Sequence, residues 1–250
     1  MPRAVFFDIG DTLVRRPTVG PGRRIAVALG LPLEWAAAVT RLVFCEPFAS
    51  PAALAERLSR EFGLAGSPES AIVEIWRAQE EEPVEVEGAT ACVEAARRAG
   101  ANIGVISNIW APYETGFRRA CPAIVPLIES WHLSYRQGVA KPDPELFRSA
   151  LAALDVPAAN ALMVGDSLEK DVVPALALGM AAVLVLPAEV IDGDGAKKDF
   201  ATEKGAGGPL PQGCRAARGL GEARRMVLAA LGENGDAGNS RAEPVGSKSR

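Results

Sequence analysis

The chain has 250 residues, 48% hydrophobic and 23% charged, with a net charge of −4. That composition belongs to a folded globular protein of one large or two small domains. It excludes the basic patch or stripe by which nucleic-acid binders hold phosphates. No apolar run reaches the roughly 18 residues that span a membrane, and no signal-peptide segment follows Met1-Pro2-Arg3. Cys45, Cys92, Cys121 and Cys214 stand in no zinc-site spacing. They read as reduced, mostly buried thiols of a cytoplasmic protein.

Ala4-Val5-Phe6-Phe7 is a continuous apolar run ending in Asp8-Ile9-Gly10-Asp11-Thr12. Such a run predicts a strand buried on both faces, with Asp8 at its carboxyl end, where open α/β sheets bind ligands. From about Arg23 to Glu82 the periodicity turns helical. Helices are expected over Arg24–Leu29, Leu33–Phe44 and Ala52–Phe62, the last stopped by Gly63. A fourth has Ser67 as N-cap and Pro68 in its first position. These helices form a small insert that leans on its neighbour.

The α/β pattern then resumes. Helices are predicted over Thr90–Ala99, Tyr113–Ala120, Pro144–Leu154 and Val172–Leu178. Strands are predicted over Asn102–Ile106, Leu127–Glu129, Ala161–Val164 and Ala182–Leu186. Alternation of this kind argues an α/β fold, a Rossmann-like parallel sheet with helices on both faces plus the inserted all-helical unit. The expected division is a core of 1–14 and 87–190, a helical cap of 15–86, a C-terminal extension of 191–231 with a last helix over Leu220–Leu231, and a disordered tail of 232–250. Gly193 to Gly213 has little to bury.

Three strands end in polar groups: Asp8 with Asp11-Thr12, Ser107-Asn108, and Asp166-Ser167. Lys141, in Ala140-Lys141-Pro142-Asp143-Pro144, opens a helix. Brought to one sheet edge, they supply carboxylates for a hard cation, hydroxyl and amide donors, and one ammonium. Oxygen ligands suit Mg²⁺. A carboxylate nucleophile beside Mg²⁺ and Lys is a workable phosphoryl-transfer site.

In these motifs the chain resembles the haloacid dehalogenase-like hydrolase superfamily, from Ala4 to Leu186. The first motif is Asp8-Ile9-Gly10-Asp11-Thr12-Leu13 and the second Val105-Ile106-Ser107-Asn108. Lys141-Pro142-Asp143-Pro144 resembles the third, and Val164-Gly165-Asp166-Ser167-Leu168-Glu169-Lys170-Asp171 the fourth. The resemblance implies a phosphatase-type member with a small helical cap and a small phosphorylated substrate. Asp8 would be the nucleophile and Lys141 would neutralise charge beside it. Thr12, Ser107, Asn108 and Lys141 would hold the phosphoryl group. Mg²⁺ would be held by Asp8, the Gly10 carbonyl and Asp166, with Asp171 in support.

Gly10 departs from the family pattern, because phosphatases of this kind commonly carry a second Asp there as general acid and base. Asp11 stands next to that position, and its plainer role is to bond turn amides. The missing acid leaves two alternatives open: a 2-haloacid dehalogenase, or a catalytically weak member that binds a ligand or a protein. His132 lies away from all four motifs and is expected to be structural or on the surface. Glu80 to Glu82 are expected in a solvated segment, and Trp35, Trp76 and Phe44 in helix packing. Trp110, just after the second motif, stands either in the core or facing the site. Arg15, Arg16, Arg23 and Arg24 are expected at the surface, with anion binding as the alternative.

Overall fold

A computed structural model describes residues 2–15, 17–64, 66–186 and 210–232. In chain order, β1 (Ala4–Phe7) is followed by the short β2 (Val14–Arg15). Four helices come next: α1 (Pro21–Ala28), α2 (Ala36–Cys45), α3 (Pro51–Phe62) and α4 (Glu69–Glu81). Then come β3 (Val84–Glu85), α5 (Ala89–Arg98), β4 (Asn102–Ser107), α6 (Ala111–Ala120), β5 (Ser130–Leu133), α7 (Ser134–Gln137), α8 (Pro144–Ala153), β6 (Ala161–Gly165), α9 (Val173–Ala177) and β7 (Ala181–Leu186). After the undescribed segment, β8 (Cys214–Arg218) leads into α10 (Gly219–Leu231).

Six strands form one sheet in the order β5-β4-β1-β6-β7-β8, all paired in parallel. β1 is central: Phe7 lies opposite Val105 of β4 and Val164 of β6. Its apolar run serves both faces. Val5 and Phe7 join the core under α5, α6 and α10, whereas Ala4 and Phe6 join the core under α8 and α9. Each buried Phe contributes about 1.5–3 kcal/mol. Gly104 makes room for this packing, since a Cβ there would lie 2.6 Å from the Phe6 ring.

The helices α1 to α4 are inserted between β2 and β3, which pair antiparallel as a two-stranded ribbon. The ribbon joins the insert to the sheet domain, and Val86 N–H donates to the Leu13 carbonyl beside it. The local signals read in the sequence act as expected in α3. Ser50 Oγ accepts from Ala53 N, Pro51 opens the helix, and Gly63 closes it at φ 62°. In α8, Asp143 caps and Pro144 opens the helix.

Several boundaries differ from expectation. The fourth helix begins at Glu69, so Pro68 rather than Ser67 holds the N-cap position. Ser67 Oγ still accepts from Glu69 N. The stretch expected as one helix from Leu33 starts as a 3₁₀ turn, Leu33–Trp35, before α2. The strand placed over Leu127–Glu129 lies at Ser130–Leu133, because Val125–Leu127 turns as 3₁₀. β8 carries no strand signal in the sequence: Cys-Arg-Ala-Ala-Arg has no apolar run, and only Ala217 of it is buried. The expectations of low order over Gly193 to Gly213 and of a disordered tail over 232–250 fall mostly outside the described residues.

Other expectations are placed as follows. All four cysteines are free; Cys92 and Cys121 are buried, and burial pushes both thiols up to about 12. His132 is buried and structural: it bonds Ser130 Oγ, Ser149 Oγ and the Gln137 amide. Trp35 stacks on Phe62. Glu80 accepts from Trp76 Nε1, and Glu82 pairs with Arg24 at 2.8 Å. Arg15 and Arg23 are exposed. No helix among the described residues is long and apolar enough to cross a membrane.

Candidate active site

The sheet order places a topological switch at β1. The chain runs outward through β4 and β5 on one side and returns through β6 on the other, and crevices at such points bind ligands. Asp8 follows β1 directly, and its backbone N–H donates to the Val164 carbonyl of β6. The chain then turns tightly. Leu13 and Val14 N–H both donate to Ile9 O, and Asp11 N–H donates to Val14 O. That turn holds Asp11 at φ 58°, a left-handed conformation for which a side chain is unfavourable, although Asp tolerates it better than most. Ser107 ends β4 and Asp166 follows β6.

Asp171 comes from a π-helical turn, Leu168–Val172, in which Val172 N–H reaches the Ser167 carbonyl. Such turns recur at functional sites. Asp171 Oδ2 accepts from Ser167 N at 2.9 Å, and a Cβ on Gly165 would lie 2.5 Å from that same oxygen. Glycine at 165 is therefore what lets the carboxylate fold back onto the strand end.

These elements bring Asp8, Asp166 and Asp171 together, all buried, with one carboxylate oxygen of each within 4.8 Å of the others. Lys141 Nζ sits among them. It donates to Asp8 Oδ1 at 2.6 Å, to Asp171 Oδ1 at 2.5 Å and to the Ile106 carbonyl at 2.9 Å. Burial opposes the Lys141 charge, but Asp171 and Asp8 outweigh it and hold the ammonium above its ordinary value. Asp171 is raised as well: burial pushes it up to about 7, against the pull of Lys141, with Asp8 and Asp166 adding repulsion. The two shifts are consistent once the charges are counted. Three carboxylates and one ammonium leave two negative charges in a buried site, and one cation cannot satisfy all three acids. A hard divalent cation carries the missing charge, and carboxylate oxygens are its preferred ligands. The residues present therefore fit Mg²⁺.

Three buried side-chain atoms among the described residues lack a hydrogen-bond partner: Thr12 Oγ1, Ser107 Oγ and Gln79 Nε2. An unpaired buried polar group costs about 1–3 kcal/mol, so each calls for a reason. Ser107 and Thr12 are the hydroxyls to which the family resemblance implies a phosphate role. Asn108 is committed elsewhere: its Nδ2 donates to the Lys141 carbonyl at 2.8 Å, and its Oδ1 accepts from Lys141 N at 2.7 Å. It positions the lysine loop, and only its remaining Nδ2 hydrogen is open to a phosphate.

Beside this cluster lies a cavity of about 190 Å³ between the insert and the sheet. Gly10 and Asn108 form part of its lining, with Phe44 of α2, Gln79 of α4, Trp110 and Lys170. Phe44 and Trp110 thus face the cavity as well as packing. Trp110 is 2% exposed, meets Trp76 edge-on and donates from Nε1 to Gln79 Oε1 at 3.0 Å. Sequence reasoning does not find Gln79. It stands in a Glu-rich helix with nothing local to mark it, and only the docking of α4 on α6 gives it a role.

The chain is similar to several known proteins. A family model described as HAD-hydrolase-like matches residues 138–201. The chain is 29% identical over 194 residues to a glyceraldehyde 3-phosphate phosphatase of Pyrococcus abyssi, covering 73% of this chain and 81% of that one. These matches support a place for the chain in the haloacid dehalogenase-like hydrolase superfamily. The hydrolase is also 30% identical to a ribulose-1,5-bisphosphate 5-phosphatase of Halopiger xanaduensis, over 52% of its own length and about half (54%) of the relative's. In fold it is similar to CbbY from Rhodobacter sphaeroides, solved in complex with phosphate. That likeness has a TM-score of 0.58 at 20% identity, covering 93% of the hydrolase and 100% of that chain.

Proposed function

We propose that the hydrolase is a Mg²⁺-dependent phosphatase of small phosphorylated metabolites, acting through an aspartyl-phosphate on Asp8. The observation that carries this reading is the meeting of Lys141 with Asp8 and Asp171 beside two unpartnered buried hydroxyls, Ser107 Oγ and Thr12 Oγ1. Anionic ligands satisfy such donors, and an incoming phosphoryl group brings several acceptor oxygens. The phosphatase names of the two relatives support the same reading.

In this reading an Asp8 oxygen attacks phosphorus while the ester oxygen departs with the alcohol. Water then cleaves the acyl phosphate, freeing Asp8 and inorganic phosphate. Lys141 neutralises charge between nucleophile and phosphoryl group, held in place by the Asn108 bonds to its backbone. Ser107 and Thr12 donate to phosphoryl oxygens. Asp8, Asp166 and the Gly10 carbonyl would hold Mg²⁺, with Asp171 in support. When bound, the ion supplies charge neutralisation on the transferring group. Residues 15–86 act as a cap that excludes water from the small cavity, over a core of 1–14 and 87–190. A cytoplasmic location suits the four free thiols.

Gly10 favours a second reading, a 2-haloacid dehalogenase in which Asp8 attacks carbon and no metal is needed. Phosphate and halide release with and without Mg²⁺ separate the two. Mg²⁺-dependent phosphate release that disappears in Asp8→Asn is expected. Metal-independent halide release from a 2-haloacid would replace the first reading with the second. Absence of turnover with ligand-dependent thermal stabilisation would leave a binding protein.

A further inference from the structure

The proposed chemistry uses Ser107 and Thr12 but not the third unpartnered atom, Gln79 Nε2. Gln79 is 1% exposed. An indole N–H can only donate, so the bond from Trp110 Nε1 fixes the side-chain amide with its oxygen toward Trp110. The free end is therefore the –NH₂, a donor. Trp110 is itself held by edge contact with Trp76, whose Nε1 bonds Glu80 Oε1. The donor is thus fixed from two sides on a residue lining the cavity next to Gly10 and Asn108. Among the described residues no carboxylate lines that cavity, and Lys170 adds a cation to its wall.

In the phosphatase reading, an ester whose phosphorus meets Asp8 would extend its leaving group past Gly10 and Asn108 into this cavity. About 190 Å³ corresponds to roughly six waters at ~30 Å³ each, room for a chain of a few carbons and oxygens. We infer that Gln79 selects the leaving group: its Nε2 donates to a hydroxyl or carbonyl oxygen a few atoms from the phosphate. The substrate class is then short, oxygenated phosphate esters, and plain alkyl phosphates of the same size are rejected. This rests on the phosphatase reading of the Asp8 site.

The test compares glycerol 3-phosphate with n-propyl phosphate, which share a three-carbon skeleton and differ in hydroxyls, using the full chain with Mg²⁺. Wild type is expected to favour glycerol 3-phosphate by at least about tenfold in kcat/KM, because a buried donor left unpaired penalises the analogue that lacks the oxygen. Gln79→Glu keeps an acceptor for Trp110 but presents a carboxylate instead of the donor. Gln79→Met removes both. In Gln79→Met the preference is expected to collapse toward unity, chiefly through KM for glycerol 3-phosphate, whereas in Gln79→Glu it is expected to shift, because the carboxylate accepts from a hydroxyl where the amide donated. Any uniform effect of the introduced carboxylate charge on phosphate cancels in the ratio. No preference in wild type, an unchanged ratio in Gln79→Glu, or parallel losses on both substrates would overturn the assignment. Should Gln79→Met lose its near-ultraviolet circular dichroism, Gln79→Glu decides alone, since it retains the Trp110 bond. If wild type releases no phosphate from any ester, the phosphatase reading falls and this assignment with it. Phosphate release with an unchanged ratio sinks the assignment alone.

Discussion

Asp11 occupies the left-handed region at φ 58°, where glycine is at ease, while Gly10 is not among the left-handed residues of the described chain. The backbone thus asks for glycine one residue later than the chain provides it. A side chain at position 10 meets no φ penalty, and an acid there would stand two residues from Asp8. General acid and base help is worth about 10²–10⁴-fold. Esters with poor leaving groups feel its loss most. The hydrolase is expected to favour activated substrates such as p-nitrophenyl phosphate and acyl phosphates over alkyl phosphates. Gly10→Asp, with Asp11→Gly to relieve the turn, is expected to raise alkyl-ester turnover by about 10²-fold or more. Steady-state kinetics on both substrate types check this; equal wild-type rates on the two would show that no acid is missing.

At the scale of elements, β6 and the π-helical turn after it work as one unit through Gly165. Gly165→Ala drives a methyl group into the Asp171 carboxylate. Overpacking of this kind costs about 1–3 kcal/mol, and moving a charged group by about 1 Å can cost about 10²-fold in rate. The variant is expected to lose activity by that factor with a modest fall in Tm, and a kinetic assay beside a melting curve reads both. The joint of β5 and α8 predicts a pH effect. The Gln137 Nε2 donates to His132 Nδ1, which places the ring proton on Nε2, toward Ser130 Oγ. Burial lowers the His132 pKa. The unfolded chain therefore takes up the proton first, and stability falls as pH drops below about 6.5. Asp171, raised on folding, has the opposite sign. The fair measurement is the difference in Tm between wild type and His132→Gln from pH 7.5 to 5; parallel curves would remove His132 from the account.

The whole molecule is a sheet domain with a helical insert docked through the β2–β3 ribbon and the α4–α6 contact. Close approach there depends on Gly116, where a Cβ would lie 2.7 Å from the Gln79 carbonyl. A cation bound between β1, β6 and the lysine loop would draw on groups the chain separates by up to 163 residues, from Asp8 to Asp171, so its binding free energy would stabilise the assembled fold. At Mg²⁺ a hundredfold above Kd the gain is about 2.7 kcal/mol, or a rise in Tm of about 5–10 °C for a chain of this size. Thermal melts with Mg²⁺ and with chelator are expected to differ by this amount, and Asp166→Asn to abolish the difference. Coincident melts with full activity in chelator would exclude the ion.

Local signals carry much of this in the sequence. The run Ala4–Phe7 has to be a buried strand because its residues are apolar at both parities, and Ser50-Pro51 with Gly63 bound α3 through bonds spanning three or four residues. Asp8, Ser107 and Asp166 are legible because each sits where a strand-like run stops, and Lys141 because it precedes a helix start. What pairs with what lies beyond reach of the chain alone. β8 has no apolar run and exists because β7 offers it an edge. Asn108 reads in the sequence as a phosphate ligand, but its amide faces the Lys141 backbone 33 residues away. Gln79 gains its free donor only when Trp110, 31 residues on, takes its oxygen. Propensity and periodicity are properties of neighbours in sequence, whereas hydrogen-bond partners, shared burial and the balance of charge in a site are properties of neighbours in space.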